Sequence, residues 1–299
     1  MRESVSVAAM PLALVTGAST GIGRATALRL AGSGWTVLAG VRDPAAGEAL
    51  VADAPRAGEL IPLTLDVTDP AQVAAAAVRV EELGGGATAG ASEAGRGRLD
   101  ALVNNAGIAV GGPLELLAPE DLQRQFEVNV FGQVAVTQAL LPALRRARGR
   151  IVFVSSIGGR VAMAFTAPYA ASKHAIEALA DALRVELRTS HVQVALIEPG
   201  SVATPIWDKG RTQADGVSIP AELSEQYGHV LAAMNKVLAD TARRGVPPET
   251  VAETIERALT STRMRSRYVI GRDARAMLIA KQLLPDHVFD RLARRALGV

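Results

Sequence analysis

The sequence predicts an α/β protein with a doubly wound, mostly parallel sheet of seven strands and helices on both faces of the sheet. Three observations support this prediction. Short apolar runs alternate with alanine-rich helical patterns along nearly the whole chain. The runs are nearly all apolar, which is typical of parallel strands covered on both faces. A glycine-rich turn joins the first run to the first helical pattern, as in other doubly wound folds.

The predicted elements follow from these runs in chain order. Strands are predicted at residues 12–16, 36–41, 60–65, 101–104, 151–155, 192–197 and 268–270. Helices are predicted at residues 21–32, 45–53, 69–83, 118–147, 168–189 and 247–261. Proline suits the first turn of a helix, where no N–H is needed, and Pro70 and Pro119 stand at two of these starts.

The chain of 299 residues is predicted to form one large domain with a tail, an insertion and an extension. Residues 1–10 indicate a tail, 11–272 a single domain, and 273–299 a C-terminal helical extension. The segment 84–97 is rich in glycine and alanine and indicates a surface loop. Residues 200–246 follow the sixth strand where about 2 to 6 residues are typical, which indicates an insertion with a functional role.

Composition excludes several classes of protein. A content of 49% hydrophobic and 21% charged residues excludes a disordered or fibrous chain. The absence of cysteine excludes a disulfide scaffold, a thiolate metal site and a cysteine nucleophile, and it fits a cytoplasmic protein. The net charge of +2 is too small for a nucleic-acid binder, unless the charge is concentrated on one face. No apolar run reaches the ~18 residues that a membrane-spanning helix needs.

Residues 16–23 form the glycine turn, with Gly17, Gly21 and Gly23 between the first strand and the first helix. Such glycines let the backbone turn tightly and approach a pyrophosphate, whose charge the helix N-terminus favours. An ordinary strand–helix turn is the alternative explanation. The position of the turn in the first strand–helix unit favours nucleotide binding.

Tyr169 and Lys173 lie four residues apart, which places both side chains on one face of a helix. An ammonium beside a phenol favours the phenolate and lowers a pKa that starts near ~10, as a general acid or base at neutral pH requires. Only four of the 32 basic residues are lysines, so the pairing is informative. A surface tyrosine packed on a lysine stem is the alternative.

Three further polar positions follow or interrupt apolar segments. Ser155 and Ser156 end the fifth strand, at the sheet edge where ligands bind, although serines that cap a turn are the alternative. Asn104 and its neighbours follow the fourth strand in the segment Asn-Asn-Ala-Gly. Asn129 lies between valines in a predicted helix, where an asparagine needs buried partners or stands at the surface.

Together these motifs resemble those of the short-chain dehydrogenase/reductase family over roughly residues 11–272. The glycine turn, the Asn-Ala-Gly segment, Asn129, Ser156 and the Tyr169–Lys173 pair stand in the order and approximate spacing of that family. The resemblance implies a Rossmann fold. It also implies the interconversion of a carbonyl and an alcohol by hydride transfer with a nicotinamide cofactor, and a chemistry that uses no metal.

The resemblance also implies roles for individual residues. Tyr169 would exchange a proton with the substrate oxygen, and Ser156 would orient and polarise that oxygen. Lys173 would lower the tyrosine pKa and hold the nicotinamide ribose, and Asn129 would anchor a water that relays protons from Lys173. Cofactor contacts are implied for Gly17, Ser19, Thr20, Gly21, Ile22, Gly23, Asp66, Val67, Asn104, Ala106, Gly107, Tyr169, Lys173, Pro199, Gly200, Val202 and Thr204.

The cofactor prediction depends on the end of the second strand. A carboxylate there binds the ribose 2′-hydroxyl of NAD, whereas an arginine accommodates the 2′-phosphate of NADP. Val41 is followed by Arg42, and an acidic residue, Asp43, comes only one step later. The sequence therefore predicts NADP with Arg42 as a contact, and NAD stays open because of Asp43.

The C-terminal third resembles the hydroxysteroid and retinol dehydrogenase branch of the family, through residues 266–274 and 284–286. This resemblance implies a bulky apolar alcohol or ketone, with residues 200–246 forming the pocket. Candidate wall residues are Met163, Phe165, Ile206 and Trp207, with packing in the core as the alternative for each. A 3-oxoacyl thioester reductase that docks an acidic carrier protein is a second reading, with Arg145, Arg146, Arg148 and Arg150 as the docking patch. A catalytically silent dinucleotide sensor is a third.

The predicted partners are a small-molecule substrate and further copies of the chain. The family usually pairs subunits through the helices that match 118–147 and 168–189, which implies a homodimer or homotetramer. The tail from Ala276 carries apolar residues at helical spacing with Arg291, Arg294 and Arg295. Such a basic amphipathic helix either packs on its own domain or a partner subunit, or lies on a membrane surface.

Overall fold

The protein is described here by a computed structural model over residues 10–84, 97–206, 223, 227 and 245–297. The strands in that part of the chain are β1 (Leu12–Thr16), β2 (Thr36–Val41), β3 (Glu59–Thr64), β4 (Ala101–Asn104), β5 (Arg150–Val154), β6 (Gln193–Pro199) and β7 (Arg267–Ile270). Each predicted strand is present, and the bounds differ by at most two residues from the prediction.

The helices lie between these strands, as the apolar periodicity predicts. They are α1 (Gly21–Gly32), α2 (Pro44–Ala52), α3 (Pro70–Leu83), α4 (Pro119–Phe126), α5 (Gln133–Ala147), α6 (Ala167–Glu186), α7 (Pro248–Thr260), α8 (Arg272–Leu283) and α9 (Asp286–Leu297). Asp43 and Asp69 cap α2 and α3 through their carboxylates, with a proline in the first helical turn in both cases.

All seven strands are parallel, in the order β3-β2-β1-β4-β5-β6-β7. In the centre of the sheet Leu14 pairs with Leu38 of β2 and with Leu102 of β4. The strand order reverses between β1 and β4, which is where ligands bind in doubly wound sheets. The predicted fold class, a doubly wound Rossmann fold, is confirmed.

Two apolar cores cover the two faces of the sheet, because successive strand residues point to opposite sides. Leu12 and Leu14 belong to the core shared with α3, α5 and α6. Ala13 and Val15 belong to the core shared with α1, α2 and α7. These helices hold the carboxyl edge of the sheet in place, and the candidate site lies at that edge.

The helix predicted at 118–147 is not α-helical throughout, because its hydrogen-bonding pattern changes in the middle. Between α4 and α5 the residues Glu127–Gly132 form a π-helical turn, and the predicted site residue Asn129 lies in it. Single π-helical turns inside α-helices are often found at functional sites. Apolar periodicity did not predict this turn, because one extra residue per turn barely changes the pattern of buried positions.

The C-terminal extension consists of two helices, α8 and α9, where the sequence predicted one helical segment. Leu284 is extended because Pro285 disfavours a helical conformation in the residue before it. The two helices pack against each other, since Phe289 of α9 is buried and Lys281 of α8 lies 5.1 Å from the centre of its ring. Within the described part of the chain, no helix is long and apolar enough to cross a membrane.

Some predictions fall on residues outside the described ranges. These are most of the tail 1–10, most of the loop 84–97, and all but the ends and two positions of the insertion 200–246. Trp207, a candidate wall residue, lies among them.

Candidate active site

A cleft runs along the carboxyl edge of the sheet, across the point where the strand order reverses. It has two connected parts, which share Ile22, Asn105, Gly107, Thr204 and Ile206 in their walls. We call the part against the glycine turn the glycine-turn half, with a cavity of about 290 Å³. The part against Ser156, Tyr169 and Lys173 is the tyrosine half, with a cavity of about 240 Å³.

The glycine turn has the geometry of a phosphate-binding loop. Gly17 and Gly21 have φ values of 65° and 57°, a region that L side chains rarely adopt. A Cβ on Gly17 would lie 2.8 Å from the Ala106 Cα, and one on Gly23 would lie 2.2 Å from the Gly17 carbonyl oxygen. Gly23 therefore lets α1 pack against the turn; it does not line the cleft itself.

The N-terminus of α1 leaves its amide groups open toward the glycine-turn half. Thr20 is the N-cap residue, but its side chain makes no capping hydrogen bond, and no acidic residue stands in the first helical turn. Uncapped N–H groups and the helix dipole favour an anion at this position. Together with the missing side chains of the turn, they fit the pyrophosphate of a dinucleotide.

Asn105 holds the glycine turn in this shape; it belongs to the predicted Asn-Asn-Ala-Gly segment but was not among the predicted cofactor contacts. Its Nδ2 donates to the carbonyl oxygens of Thr16 and Gly17 at 2.9 and 3.1 Å, and its backbone N–H donates to the Thr16 Oγ1. Asn105 also lines both halves of the cleft. Its position just beyond the carboxyl end of β4 is the sequence signal that could have identified it.

Asn104, the predicted cofactor contact in this segment, does not line the cleft. Its side chain is fully buried and donates to the Thr137 Oγ1 on α5 at 2.8 Å. Asn104 is the last residue of β4 and shares a face with Leu102, which packs under α5. The alternation of strand side chains therefore directs the Asn104 side chain into the core, and a cofactor contact of this residue stays a prediction.

Arg42 lies at the far end of the glycine-turn half, next to Asp66 and Val67 in the wall. Asp43 does not line the cleft, because its Oδ1 accepts the N–H of Ala45 at 3.0 Å and caps α2. Asp43, the acidic residue that leaves NAD open as the cofactor, is thus engaged by a backbone N–H group. Among the described residues Arg42 forms no ion pair.

Ser156, Tyr169 and Lys173 meet in the tyrosine half, from the end of β5 and from one face of α6. Tyr169 and Ser156 are joined by a side-chain hydrogen bond. The Ser156 Oγ also accepts the N–H of Gly158 at 3.0 Å, which fixes the orientation of the hydroxyl. A polarising hydroxyl and a buried phenol are therefore held side by side.

The electrostatics of Tyr169 and Lys173 are dominated by burial. Burial raises the pKa of Tyr169 above its usual value, and the hydrogen bond with Ser156 opposes that effect. Burial also lowers the pKa of Lys173 to about 8, against the opposing charge of Glu177. The lowering of the tyrosine pKa by Lys173 stays a prediction. The Lys173 Nζ lies 5.8 Å from the centre of the tyrosine ring and donates to the Val154 carbonyl at 2.8 Å.

Asn129 lies behind the tyrosine half and does not line it. Its Oδ1 accepts the N–H of Ile108 at 2.8 Å, and its Nδ2 donates to the Ile108 carbonyl and the Ser172 Oγ. Both amide hydrogens are thus used within the protein. A water at this position would depend on the second lone pair of the Oδ1 or on the backbone carbonyl, so the relay remains a prediction.

Most predicted contacts line the cleft. The glycine-turn half contains Gly17, Ser19, Thr20, Gly21, Ile22, Arg42, Asp66, Val67, Ala106 and Gly107. The tyrosine half contains Ser156, Tyr169, Lys173, Pro199, Gly200, Val202 and Thr204, with Met163 and Ile206 among the candidate wall residues. Phe165 lies outside both walls and packs edge-on against Tyr227 at 6.4 Å. Asp273, Ala274 and Met277 of α8 line the tyrosine half and were missed, because they lie far away in the sequence.

A phosphate-binding turn that leads along one cleft to a serine, a tyrosine and a lysine defines an NAD(P)-dependent oxidoreductase. The family model for short chain dehydrogenases matches residues 11–215. The chain belongs to the short chain dehydrogenase family, so the resemblance drawn from the motifs is confirmed.

Similar proteins agree with this assignment over nearly the full chain. The NADPH-dependent 3-dehydrocapnine reductase of Ornithobacterium rhinotracheale is 32% identical, over 95% of this chain and 96% of the relative. Retinol dehydrogenase 5 of Mus musculus is 35% identical, over 92% of this chain and 85% of the relative. A crystal structure of a short-chain dehydrogenase from Streptomyces avermitilis is 31% identical, with a TM-score of 0.73 and 96% of both chains covered.

Proposed function

We propose that the protein is an NADP-dependent oxidoreductase that interconverts a secondary alcohol and a ketone, or an alcohol and an aldehyde, on a bulky apolar substrate. The observation that carries this proposal is the tyrosine half of the cleft. There Ser156, Tyr169 and Lys173 face a mostly apolar cavity that continues into the glycine-turn half.

The preference for NADP is supported by the end of β2. Arg42 lines the glycine-turn half and forms no ion pair with another described residue, whereas Asp43 is engaged in capping α2. A guanidinium recognises a phosphate through charge-assisted hydrogen bonds. One relative at 32% identity is named as NADPH-dependent, which agrees with this proposal.

The proton chemistry is assigned to Tyr169. When bound, the nicotinamide cofactor supplies the hydride that reaches the carbonyl carbon. Tyr169 then gives its phenolic proton to the substrate oxygen, and Ser156 donates a hydrogen bond to the same oxygen. The raised pKa of Tyr169 keeps the phenol protonated at neutral pH, which suits reduction. Lys173 as an ammonium stabilises the phenolate that remains and holds the nicotinamide ribose.

A bulky apolar substrate is supported by the walls of the tyrosine half. Val161, Met163, Ile206, Ala274 and Met277 surround the space in front of Tyr169. Apolar walls with a few convergent polar groups are typical of pockets for small apolar ligands. A retinol dehydrogenase is among the similar proteins, which agrees with a substrate of this kind.

The carrier-protein reading is less well supported, because its docking patch lies at the wrong edge of the sheet. Arg150 begins β5, whereas Ser156 follows its carboxyl end. Arg146 pairs with Glu81, and Arg150 donates to the Ala258 carbonyl at 2.8 Å. A carrier docked on Arg145 and its neighbours would have to reach across the whole depth of the sheet.

A silent sensor would need only the glycine-turn half of the cleft. The second half, in which a phenol is hydrogen-bonded to a serine beside a buried lysine, supports an enzyme over a sensor. The absence of cysteine further supports the cytoplasm as its compartment.

We also infer a homodimer or homotetramer that pairs through the α4–α5 and α6 helices. Phe131, Leu179 and Val185 are exposed large apolar side chains on these segments, and Val185 is 71% exposed. Such side chains favour burial in an interface. Light scattering coupled to size-exclusion chromatography should give a mass of two or four chains, and Val185→Asp should shift it toward one.

Steady-state kinetics with a substrate panel tests the proposed function. NADPH oxidation is followed with ketosteroids, retinal and 3-oxoacyl thioesters, and each active substrate is repeated with NADH. We expect the highest kcat/KM with a bulky apolar carbonyl compound and with NADPH. A kcat/KM with NADH equal to or above that with NADPH would refute the cofactor proposal, and a preference for thioesters would favour the carrier-protein reading.

A further inference from the structure

A group of charged side chains, two of them buried glutamates, lies behind the tyrosine half and has no part in the chemistry described so far. Arg267 on β7 is its centre. Its guanidinium contacts Glu177 and Asp181 of α6 at 3.0 and 2.6 Å, and Glu198 of β6 at 2.9 Å. Arg160 approaches Glu198 from the other side at 3.4 Å. We call these five residues the Arg267 network.

Glu177 is the member of the network that lies one helical turn from Lys173. It follows Lys173 by four residues on α6, so the two side chains lie on the same face of the helix. Its side chain is only 7% exposed. The Glu177 Oε2 accepts from the Arg267 Nε at 3.1 Å, whereas the buried Oε1 has no hydrogen-bond partner among the described residues.

A second unpartnered atom borders the same space. The Ser155 Oγ is buried without a hydrogen-bond partner in the described part of the chain, and Ser155 lines the tyrosine half. A Cβ built on Gly159 would lie 2.8 Å from the Ser155 Oγ and 3.0 Å from the Glu177 Cγ. The same point lies 3.1 Å from the Lys173 carbonyl oxygen. The missing side chain at Gly159 therefore keeps Glu177 next to the Lys173 turn of α6.

Lys173 needs such a neighbour because it is almost completely buried. Its Nζ donates to the neutral Val154 carbonyl, and an ammonium loses much solvation in such a place. The titratable groups beside it are Tyr169 and Glu177 on its own helix, and Asp273 of α8 lines the same cavity. The carboxylate raises the pKa of Lys173 against the effect of burial.

We propose that Glu177 is a positioning residue of this active site: clamped by Arg267, its carboxylate keeps Lys173 in the ammonium form that the reaction uses. The inference rests on the proposed function, because it assigns a role to the charge of Lys173. The same clamp connects α6, which carries Tyr169 and Lys173, to Glu198, the residue before Pro199 in the cleft wall.

The protonation of Lys173 can be measured without any substrate. The chain has only four lysines, so [ε-¹³C]lysine labelling gives a simple carbon spectrum, and the signal missing in Lys173→Met identifies Lys173. We expect a titration midpoint of about 8 in the unchanged protein. In Glu177→Gln, which keeps the shape but removes the charge, we expect the midpoint to fall by about one pH unit.

Asp181→Asn is the matched control. Asp181 lies one turn further along α6 and also contacts Arg267, but its side chain is 41% exposed. Its loss should leave the midpoint of Lys173 unchanged. Glu177→Asp keeps the charge one methylene further away, so its midpoint should fall by less than that of Glu177→Gln. Circular dichroism shows whether each variant is folded. If Glu177→Gln is not folded, the titration midpoint of Lys173 in Glu177→Asp decides whether the inference holds.

The outcomes separate the inference from the proposed function. If the midpoint in Glu177→Gln, or in Glu177→Asp where that variant decides, equals or exceeds the unchanged value, the inference is wrong whatever the enzyme reduces. If the midpoint falls but no carbonyl compound is turned over, the proposed function fails alone. If the inference and the proposed function both hold, the alkaline limb of the kcat/KM profile of the variant should move to lower pH. The move should equal the fall in the Lys173 midpoint, because Lys173 loses its ammonium form above its pKa.

Discussion

The two halves of the cleft are built in opposite ways. The glycine-turn half consists largely of backbone: glycines that leave room for a ligand, and N–H groups at the start of α1 that favour its charge. The tyrosine half consists of side chains from β5, α6, β6 and α8, and charged groups are buried behind it. The glycine-turn half makes room for a ligand through missing side chains. The tyrosine half carries side chains whose charged forms are destabilised by burial.

This difference explains where the protein carries unfavourable electrostatics. A turn made of glycines needs no counter-charges, because Asn105 donates to its carbonyl oxygens and its N–H groups are left for the ligand. Burying Lys173 and Glu198 disfavours their charged forms, and the Arg267 network compensates part of that cost. We therefore expect substitutions in the tyrosine half to change rates and pH dependence, and those in the glycine-turn half to change binding.

The largest effect is expected from Tyr169→Phe, which removes the proton donor and little volume. Loss of a general acid or base lowers kcat by about 10²–10⁴-fold. We expect a decrease of about 10³-fold in NADPH oxidation with the best substrate of the panel. The dissociation constant of NADPH, measured by fluorescence titration, should change by less than about tenfold, because the glycine-turn half is untouched.

Tyr268→Phe is the matched control for this variant. Tyr268 lies on β7, outside both halves of the cleft, and its hydroxyl accepts the N–H of Arg265 at 3.0 Å. Its kcat should stay within about threefold of the unchanged enzyme, because one lost surface hydrogen bond has a small net free energy. Turnover that persists in Tyr169→Phe would contradict the assignment of Tyr169 as the proton donor.

The second effect concerns the pH dependence of stability. Burial raises the pKa of Glu198 to about 7, helped by Glu177 and opposed by Arg160 and Arg267. Between pH 4.5 and 7 the folded state then binds more protons than the unfolded state, so the stability contributed by this group falls as pH rises. At about 1.4 kcal/mol per pKa unit, the difference between the two pKa values corresponds to about 3 kcal/mol.

Glu198→Gln is neutral at every pH and should lack this component. Urea unfolding of both proteins between pH 5 and 8 measures the difference in their free energies of unfolding. As pH rises, the free energy of unfolding of the unchanged protein should fall relative to that of Glu198→Gln, and the difference should level off above pH 7. A difference that is constant across this range would show that Glu198 is ionised in the folded protein throughout.

The elements that local patterns determine were predictable from the sequence. The bounds of β1, α1 and β2 agree with the prediction residue by residue, since apolar runs and glycine turns act within a few neighbours. Contacts between distant segments were not predictable. Arg267 lies 90 residues from Glu177, just before the strand predicted at 268–270, and nothing in either segment indicates the other.

The site shows the same division at the level of single residues. Motifs placed Ser156, Tyr169 and Lys173 in one cavity, because two lie on one helix face and one ends a strand at the same edge. Motifs did not distinguish the buried side chain of Asn104 from that of Asn105, which lines the cleft, because that difference depends on the face of the strand. Met277 was missed because a C-terminal helix reaches the cavity only after the whole chain has folded.

The third effect tests the glycine-turn half. In Gly23→Ala the new Cβ would meet the Gly17 carbonyl oxygen at 2.2 Å and the Asn105 Nδ2 at 2.4 Å. Backbone atoms cannot move away easily, so we expect a loss of about 2 kcal/mol in the free energy of unfolding. NADPH affinity should fall as well, because the turn must open. Gly32→Ala at the end of the same helix meets only Pro55 at 3.4 Å and should not destabilise the protein.

The smallest effect is expected from Arg42→Ala, and it measures how much one side chain contributes to a half built of backbone. Arg42 is exposed, so its hydrogen bonds to a 2′-phosphate are partly screened by water, and about 1.4 kcal/mol or tenfold in affinity is a reasonable value. The ratio of kcat/KM with NADPH to that with NADH should fall about tenfold, with kcat unchanged. Arg124→Ala is the control, since Arg124 lines the same half but lies 3.1 Å from Asp121. If Arg124→Ala lowers the ratio more than Arg42→Ala does, the phosphate is recognised by α4 and not by the end of β2.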